Sequence, residues 1–520
     1  MSTIDTSGVE TSKAKTECAL SCSSIMGEAG VASQCTSVAH QEAEFTHSET
    51  RTIVYGVSLG MFLAALNQTI VATALPTIGR DFDDFENLSW VVTAYLLTST
   101  AAAPFYGKLC DIYGRRAMML WGIGLFVVGS VVCAVAPNML LLILARALQG
   151  VGGGGILPVA QTVIGDLVEP RERGRYQGYI GIVWICAGVS GPVLGGFLSE
   201  HLHWSAVFWI NLPLGLAATA MTSATLRRLP RHERRHDLDI FGGSLIMAAA
   251  VALMLALTWG GTRFPWLSQP IGGLFAVSFL FAVGFAWRVM RAREPFLPIP
   301  ILANAVVRMG TAASSCAFAT MIGLTIFMPL YYEAVHKLSA SDSGLALIPV
   351  VVMTTPGSIL SGRAMMRFHH FKWVPVVGLS ISLAAILVLA AWPTAPLGLA
   401  IVMLGIVGTG VGTLYPVTTV SIQSAVERHQ VGTATGLMNF FRSLASAFVV
   451  AVMSTIILAH IGVAPERGSD LRTLLSGASS AGVDFATMFR WLFESAAVFL
   501  AAALLALVLM EELPLSGRRR

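Results

Sequence analysis

Two stretches of this 520-residue chain have the spacing of catalytic or cofactor-binding motifs. His232-Glu233-Arg-Arg-His236 has the H-E-x-x-H spacing, which on a helix sets two imidazoles on one face to hold zinc with the glutamate as base. Pro230 stands just before it and arginines surround it, so the local charge opposes a dication. Gly150-Val-Gly152-Gly-Gly-Gly155 has the spacing of a dinucleotide loop, but that loop must follow a strand, and these glycines lie inside an apolar run. The cysteines at 18, 22, 35, 110, 133, 186 and 316 form no metal-like cluster. No metal, cofactor or nucleic acid is expected, and the chain is not expected to be an enzyme. A membrane zinc metalloprotease remains the different-class alternative.

The apolar surroundings of these motifs are the stronger signal. Apolar residues make up 55% of the chain and charged residues 12%, against roughly 45–50% and about 25% in soluble domains. Segments of bilayer-spanning length recur from residue 51 onward. They fall near 52–75, 88–107, 118–136, 139–163, 176–199, 206–226, 239–259, 270–290, 308–332, 343–366, 374–392, 398–421, 434–460 and 490–510. The expected fold is all-α and integral to the membrane, with fourteen spans. Placing both termini in the cytoplasm puts 25 of the 33 Lys and Arg on the inner side and six outside, with Arg146 and Arg442 inside helices. Such a bias follows the positive-inside rule, and an error of one helix would destroy it.

An internal repeat divides the spans. Gly150, Gly152, Gly154 and Pro158 recur 258 residues later as Gly408, Gly410, Gly412 and Pro416. The same offset carries Glu169 to Glu427, Gly174 to Gly432 and Gly178 to Gly436. Two parallel halves of six helices follow, with two helices inserted between them. The expected domains are a disordered cytoplasmic tail (1–50), a first bundle (51–229), the insertion (230–304), a second bundle (305–512) and a basic tail (513–520).

Ordered motifs then carry a resemblance. Gly107-Lys-Leu-Cys-Asp111-Ile-Tyr-Gly114-Arg115-Arg116 resembles the G-x-L-x-D-x-x-G-R-R/K signature of the major facilitator superfamily. Arg146-Ala-Leu-Gln149-Gly150 resembles the family's fourth-helix R-x-x-Q-G, and Gly188-Val-Ser-Gly191-Pro192-Val-Leu-Gly195-Gly196 its exporter-associated fifth-helix motif. Trp204 to Gly215 resembles the run before helix six, and Leu66-Asn67-Gln-Thr69-Ile70 the first helix of the fourteen-helix drug:proton antiporter branch. The resemblance implies a gating role for Gly107, Asp111, Gly114 and Arg115, with Asp111 meeting a helix N-terminus of the other half and Arg115 pairing with Asp166. It also implies alternating access and proton antiport.

One departure bears on the engine: the branch's usual first-helix Asp is Asn67 here, which takes up no proton. Glu494, one turn into the last span, and Asp111, Asp166, Glu200 and Glu333 at helix ends are the remaining acids. Asn67, Thr69, Tyr95, Arg146, Gln149, Trp184, Tyr415 and Asn439 are the candidate substrate or proton pathway. Trp90, Tyr95, Phe105, Tyr106, Trp184, Phe327, Tyr331, Tyr332, Tyr415 and Phe440 suit flat lipophilic ligands, although a single aromatic in a membrane helix more often faces lipid or packs against its neighbours. The scarcity of acids argues for neutral, anionic or singly charged amphiphiles rather than dications. The expected function is secondary export of small amphipathic or lipophilic compounds by a monomer in the cell membrane, with protons and lipid as its other partners. A dedicated exporter of a self-made metabolite, antibiotic or siderophore is the alternative within the class; a non-transporting sensor lies outside it.

Overall fold

A computed structural model describes residues 47–228, 239–292, 294–461 and 484–512. The chain divides into two units, Met1–Glu49 and Thr50–Arg520. Of the first unit only the opening of the first helix is described. Residues 1–46 of the expected tail (1–50), the His232–His236 match and the basic end (513–520) lie outside the described residues, and residues 47–50 belong to the first helix.

Fourteen helices are long and apolar enough to cross a bilayer. In the first half they are α1 (His47–Phe82), α2 (Leu88–Tyr113), α3 (Arg115–Ala134), α4 (Met139–Leu167), α5 (Pro170–His201) and α6 (Ala206–Thr225). Two further helices, α7 (Ile240–Trp259) and α8 (Gln269–Arg291), precede the second half. That half holds α9 (Ala305–His336), α10 (Asp342–Arg367), α11 (Trp373–Ala391), α12 (Leu397–Ser424), α13 (Val431–Ile461) and α14 (Phe485–Leu509). No strand occurs among the described residues. The helix α1 begins at His47, five residues before the apolar run does, because its first turn is polar. Large apolar side chains such as Trp121, Leu140, Val193, Phe279 and Val498 are exposed on the outer surface. In water a surface of that kind would aggregate, whereas lipid solvates it.

The repeat is visible as packing. Gly150 and Gly154 of α4 lie against Tyr95 and Ser99 of α2, while Gly408 and Gly412 of α12 lie against Val350 and Thr354 of α10. Gly152 meets Phe126 and Gly122 of α3, and Gly410 meets Gly378 and Ser382 of α11. Each half therefore uses one glycine ladder to bring its second and third helices against its fourth. Such small residues let helix backbones approach closely where lipid offers no hydrophobic drive.

The halves exchange partners across a pseudo-twofold relation. In α13, a Cβ on Gly432 would stand 2.6 Å from the Gly107 carbonyl oxygen of α2. In α5, a Cβ on Gly174 would stand 2.8 Å from the Gly362 Cα of α10. Backbone faces backbone at both crossings, so neither can give way by a side-chain rotation. Gly362→Val is expected to lower the melting temperature and reduce export at least tenfold; overpacking of about 1–3 kcal/mol is the physical source. Detergent melting curves and vesicle transport, compared with Gly398→Val at a glycine that touches nothing, check this. The inserted helices pair with each other, and α7 rests on both α2 and α13.

Candidate functional site

At one end of the bundle, the turn between α2 and α3 is made by Gly114, whose φ of 88° few other residues adopt. That turn aims Asp111 and Arg115 toward the other half. The Asp111 carboxylate accepts from the Gly432 amide (3.0 Å), the Thr433 amide (2.7 Å) and the Thr433 hydroxyl (2.8 Å). The first amides of a helix have no intrahelical acceptor, and an anion there is doubly favoured by the helix dipole. Arg115 lies 3.3 Å from Asp111, donates to Asp166 at 2.5 Å, and reaches the Arg428 carbonyl at 3.3 Å. Four helices from both halves thus meet at two acids and one base, with Asp111 and Arg115 buried.

Deeper in the first half is a polar network free of carboxylates. Arg146 donates to the Val91 carbonyl (2.8 Å) and to the Gln149 side-chain oxygen. Its guanidinium also stands over the Tyr95 ring at 4.4 Å. The Gln149 amide donates to Ser130 (2.6 Å) and to Asn67 Oδ1 (3.2 Å), and Asn211 donates to the same Asn67 oxygen (3.4 Å). Asn67, Gln149, Ser130 and Asn211 are wholly buried. The Trp204–Gly215 run owes its form to this network: Trp204 anchors the α6 entry on Asp81 (2.7 Å), Phe208 flanks Arg146, and Asn211 reaches Asn67. Arg146→Met would leave the Val91 and Gln149 oxygens without their donor. A stability loss of about 2–4 kcal/mol is expected, read as earlier thermal unfolding.

Thr69 lies apart from these groups, at the crossing of α1 and α5, where its hydroxyl donates to the Ala187 carbonyl (3.0 Å). Gly191 and Gly195 make that crossing: a Cβ on Gly191 would overlap Thr69 Oγ1, and one on Gly195 would crowd Thr73 and Ile70. A Cβ on Gly188 or Gly196 would meet nothing within 4 Å, and Pro192 is exposed. Trp184 packs on the Leu66 side of α1.

Tyr415 and Asn439 belong to the second half. Asn439 donates to the Gln161 side chain (2.7 Å), and Gln423 donates to the Gln161 carbonyl (3.1 Å), which ties α4 to α12 and α13. Asn211 stands within the run that the sequence singles out before helix six, whereas Gln161, Gln423 and Ser130 carry no sequence motif. The available signal was a buried amide or hydroxyl within an apolar helix. Tyr415 lies beneath Arg442, 5.6 Å from the guanidinium, and against Phe318. Of the aromatics that suit a flat ligand, Phe327, Tyr331 and Tyr332 follow the packing alternative: all three are closed into the core of the second half, where Tyr331 packs on Phe489 and Phe493. Phe440 is likewise buried in apolar packing.

Among the described residues, no acid reaches either the Asn67 network or Arg442. Glu494, the acid furthest inside a span, is paired with exposed Arg490 on α14 (2.9 Å).

Two six-helix halves related by a repeat, interlocked at paired crossings and joined by a buried charged cluster, have the architecture of a membrane transporter. The same fold is present in the human organic anion transporter MFSD10, with a TM-score of 0.60, 16% identity, and coverage of 87% of this chain and 99% of that one. The proton:xylose symporter XylE gives 0.58, 14%, 90% and 96% for the same measures. The Major Facilitator Superfamily profile matches residues 57–450. Multidrug transporter protein MdtP of Bacillus subtilis is 32% identical over 81% of this chain and 77% of its own length. A multidrug resistance protein of Schizosaccharomyces pombe is 32% identical over 78% of each. The chain belongs to the Major Facilitator Superfamily.

Proposed function

We propose that the chain is a secondary exporter of small amphipathic or lipophilic compounds that works by alternating access in the cell membrane, as a monomer with both termini cytoplasmic. The observation that carries this reading is the position of the inter-half contacts. The α2–α13 and α5–α10 crossings, the Asp111–Arg115–Asp166 cluster and the Gln161 contacts all sit toward the side of the α2–α3 and α4–α5 turns. In the proposed orientation that side is cytoplasmic, so the two halves are closed inward, and export requires these contacts to part and re-form. The relatives named for multidrug transport and resistance support the direction of transport and the breadth of substrate.

Proton exchange is the coupling that the resemblance implies, and Asn67 weakens it, because the position expected to titrate holds an amide. Expression in a host stripped of its own pumps tests the reading. Resistance to several unrelated amphiphiles is expected. Resistance to one compound alone would favour a dedicated metabolite exporter, and no phenotype together with inert liposomes would favour a sensor.

A further inference from the structure

Among the described residues, two arginines are buried away from the ends of their spans, Arg146 and Arg442, and the structure treats them differently. Arg146 is met by a carbonyl, an amide oxygen and an aromatic face. Arg442 is 6% exposed, yet it makes one long hydrogen bond, to Thr419 at 3.4 Å, and lies over Tyr415. Its Nε is buried without an acceptor among the described residues. It stands eleven residues into α13, about 16 Å along the axis and so near the middle of a hydrocarbon layer of about 30 Å. A cation at that depth is costly and is kept where it has a task.

The surroundings describe that task. Asn439, Arg442 and Ser446 follow helical spacing along one face of α13, beside Thr419 and the Tyr415–Phe318 ring pair. A planar fork with free N–H groups matches carboxylate or sulfonate oxygens, and the rings match an aromatic body. We propose that Arg442 binds the anionic group of the exported compound, so that the preferred substrates are aromatic amphiphiles bearing a carboxylate or sulfonate. This rests on the exporter reading and narrows it. A fixed cation needs no proton to receive an anion, and a potential negative inside drives anion export directly: about 60 mV sustains about a tenfold gradient for one charge.

The test uses two dyes that differ by one sulfonate, 1-anilinonaphthalene-8-sulfonate and its neutral parent N-phenyl-1-naphthylamine. Binding to the full chain in nanodiscs, with empty nanodiscs subtracted, is expected to favour the sulfonate by at least about tenfold. In Arg442→Met that ratio is expected to fall to about two or less. Equal wild-type affinities, or a ratio preserved in Arg442→Met, would overturn the proposal. Should the methionine variant misfold, Arg442→Lys keeps the charge and loses the fork; a severalfold drop supports the proposal and an unchanged ratio overturns it. Dye movement in vesicles is scored separately. Transport of the neutral dye without sulfonate preference sinks only the anion site, whereas sulfonate preference in binding without transport of either dye sinks the exporter reading.

Discussion

Replacing Asn67 with Asp is expected to make the exporter move protons with its substrate. The network at this position can accept the change. Asn67 Oδ1 already receives Gln149 and Asn211, and a carboxylate would receive both. The Asn67 Nδ2 finds no acceptor among the described residues, so exchanging it for oxygen sacrifices no hydrogen bond and removes a buried orphan donor. The new acid would stand one residue away from Arg146 through Gln149. In liposomes with a pH indicator, substrate-dependent proton flux is expected to rise at least tenfold in Asn67→Asp, while wild-type export responds little to a collapsed pH gradient. Full proton coupling in the wild type would show that Asn67 does not weaken the engine and that some acid at a helix end carries the proton. Asn67→Ser, which fits the same space with neither charge nor titration, controls for a packing effect.

The second large effect is expected at the gate. Asp111→Ala removes the acceptor for three donors of the opposite half and leaves Arg115 with Asp166 as its remaining acid. Hydrogen bonds to a charged group contribute about 1.5–3 kcal/mol each, and stripping one partner from a buried ion pair costs about 3–5 kcal/mol. The amides of Gly432 and Thr433 lie at the start of α13, where no carbonyl of their own helix reaches them. Their protection from hydrogen exchange therefore depends on Asp111. Exchange of the 428–436 peptide is expected to accelerate by about a hundredfold or more, as 3 kcal/mol implies, while peptides from α3 and α11 stay unchanged. Uniform acceleration across the chain would mean that the variant had unfolded instead, and no acceleration would mean that the gate does not hold the halves together. Asp111→Asn, which can accept but carries no charge, is expected to fall between the two.

The sequence made some features legible and hid others for physical reasons. Span number and order could be read because lipid imposes a length and an apolarity on every helix, and loop charge reports the side. The repeat could be read because a close crossing tolerates no side chain, which keeps Gly150, Gly152 and Gly154 in register with Gly408, Gly410 and Gly412. Which side chains meet was less legible. The spacing of Asn67 says nothing of Asn211, which donates to it from helix six, or of Ser130, which joins the same network through Gln149 and Asn211. A tyrosine in a membrane helix looks alike whether it faces a ligand or, as Tyr331 does, a pair of phenylalanines. Gln161, Gln423 and Asn439 join three helices through bonds that no local pattern encodes.

The two pseudo-equivalent crossings are not chemically alike. At Gly107–Gly432 the carboxylate of Asp111 adds directional, charged bonds, whereas at Gly174–Gly362 the neighbouring group is the Met365 sulfur, 3.1 Å from where a Cβ would stand. Directional bonds hold at one geometry and fail together, while thioether and backbone contacts change little as surfaces slide. One crossing therefore has the mechanics of a latch and the other those of a bearing.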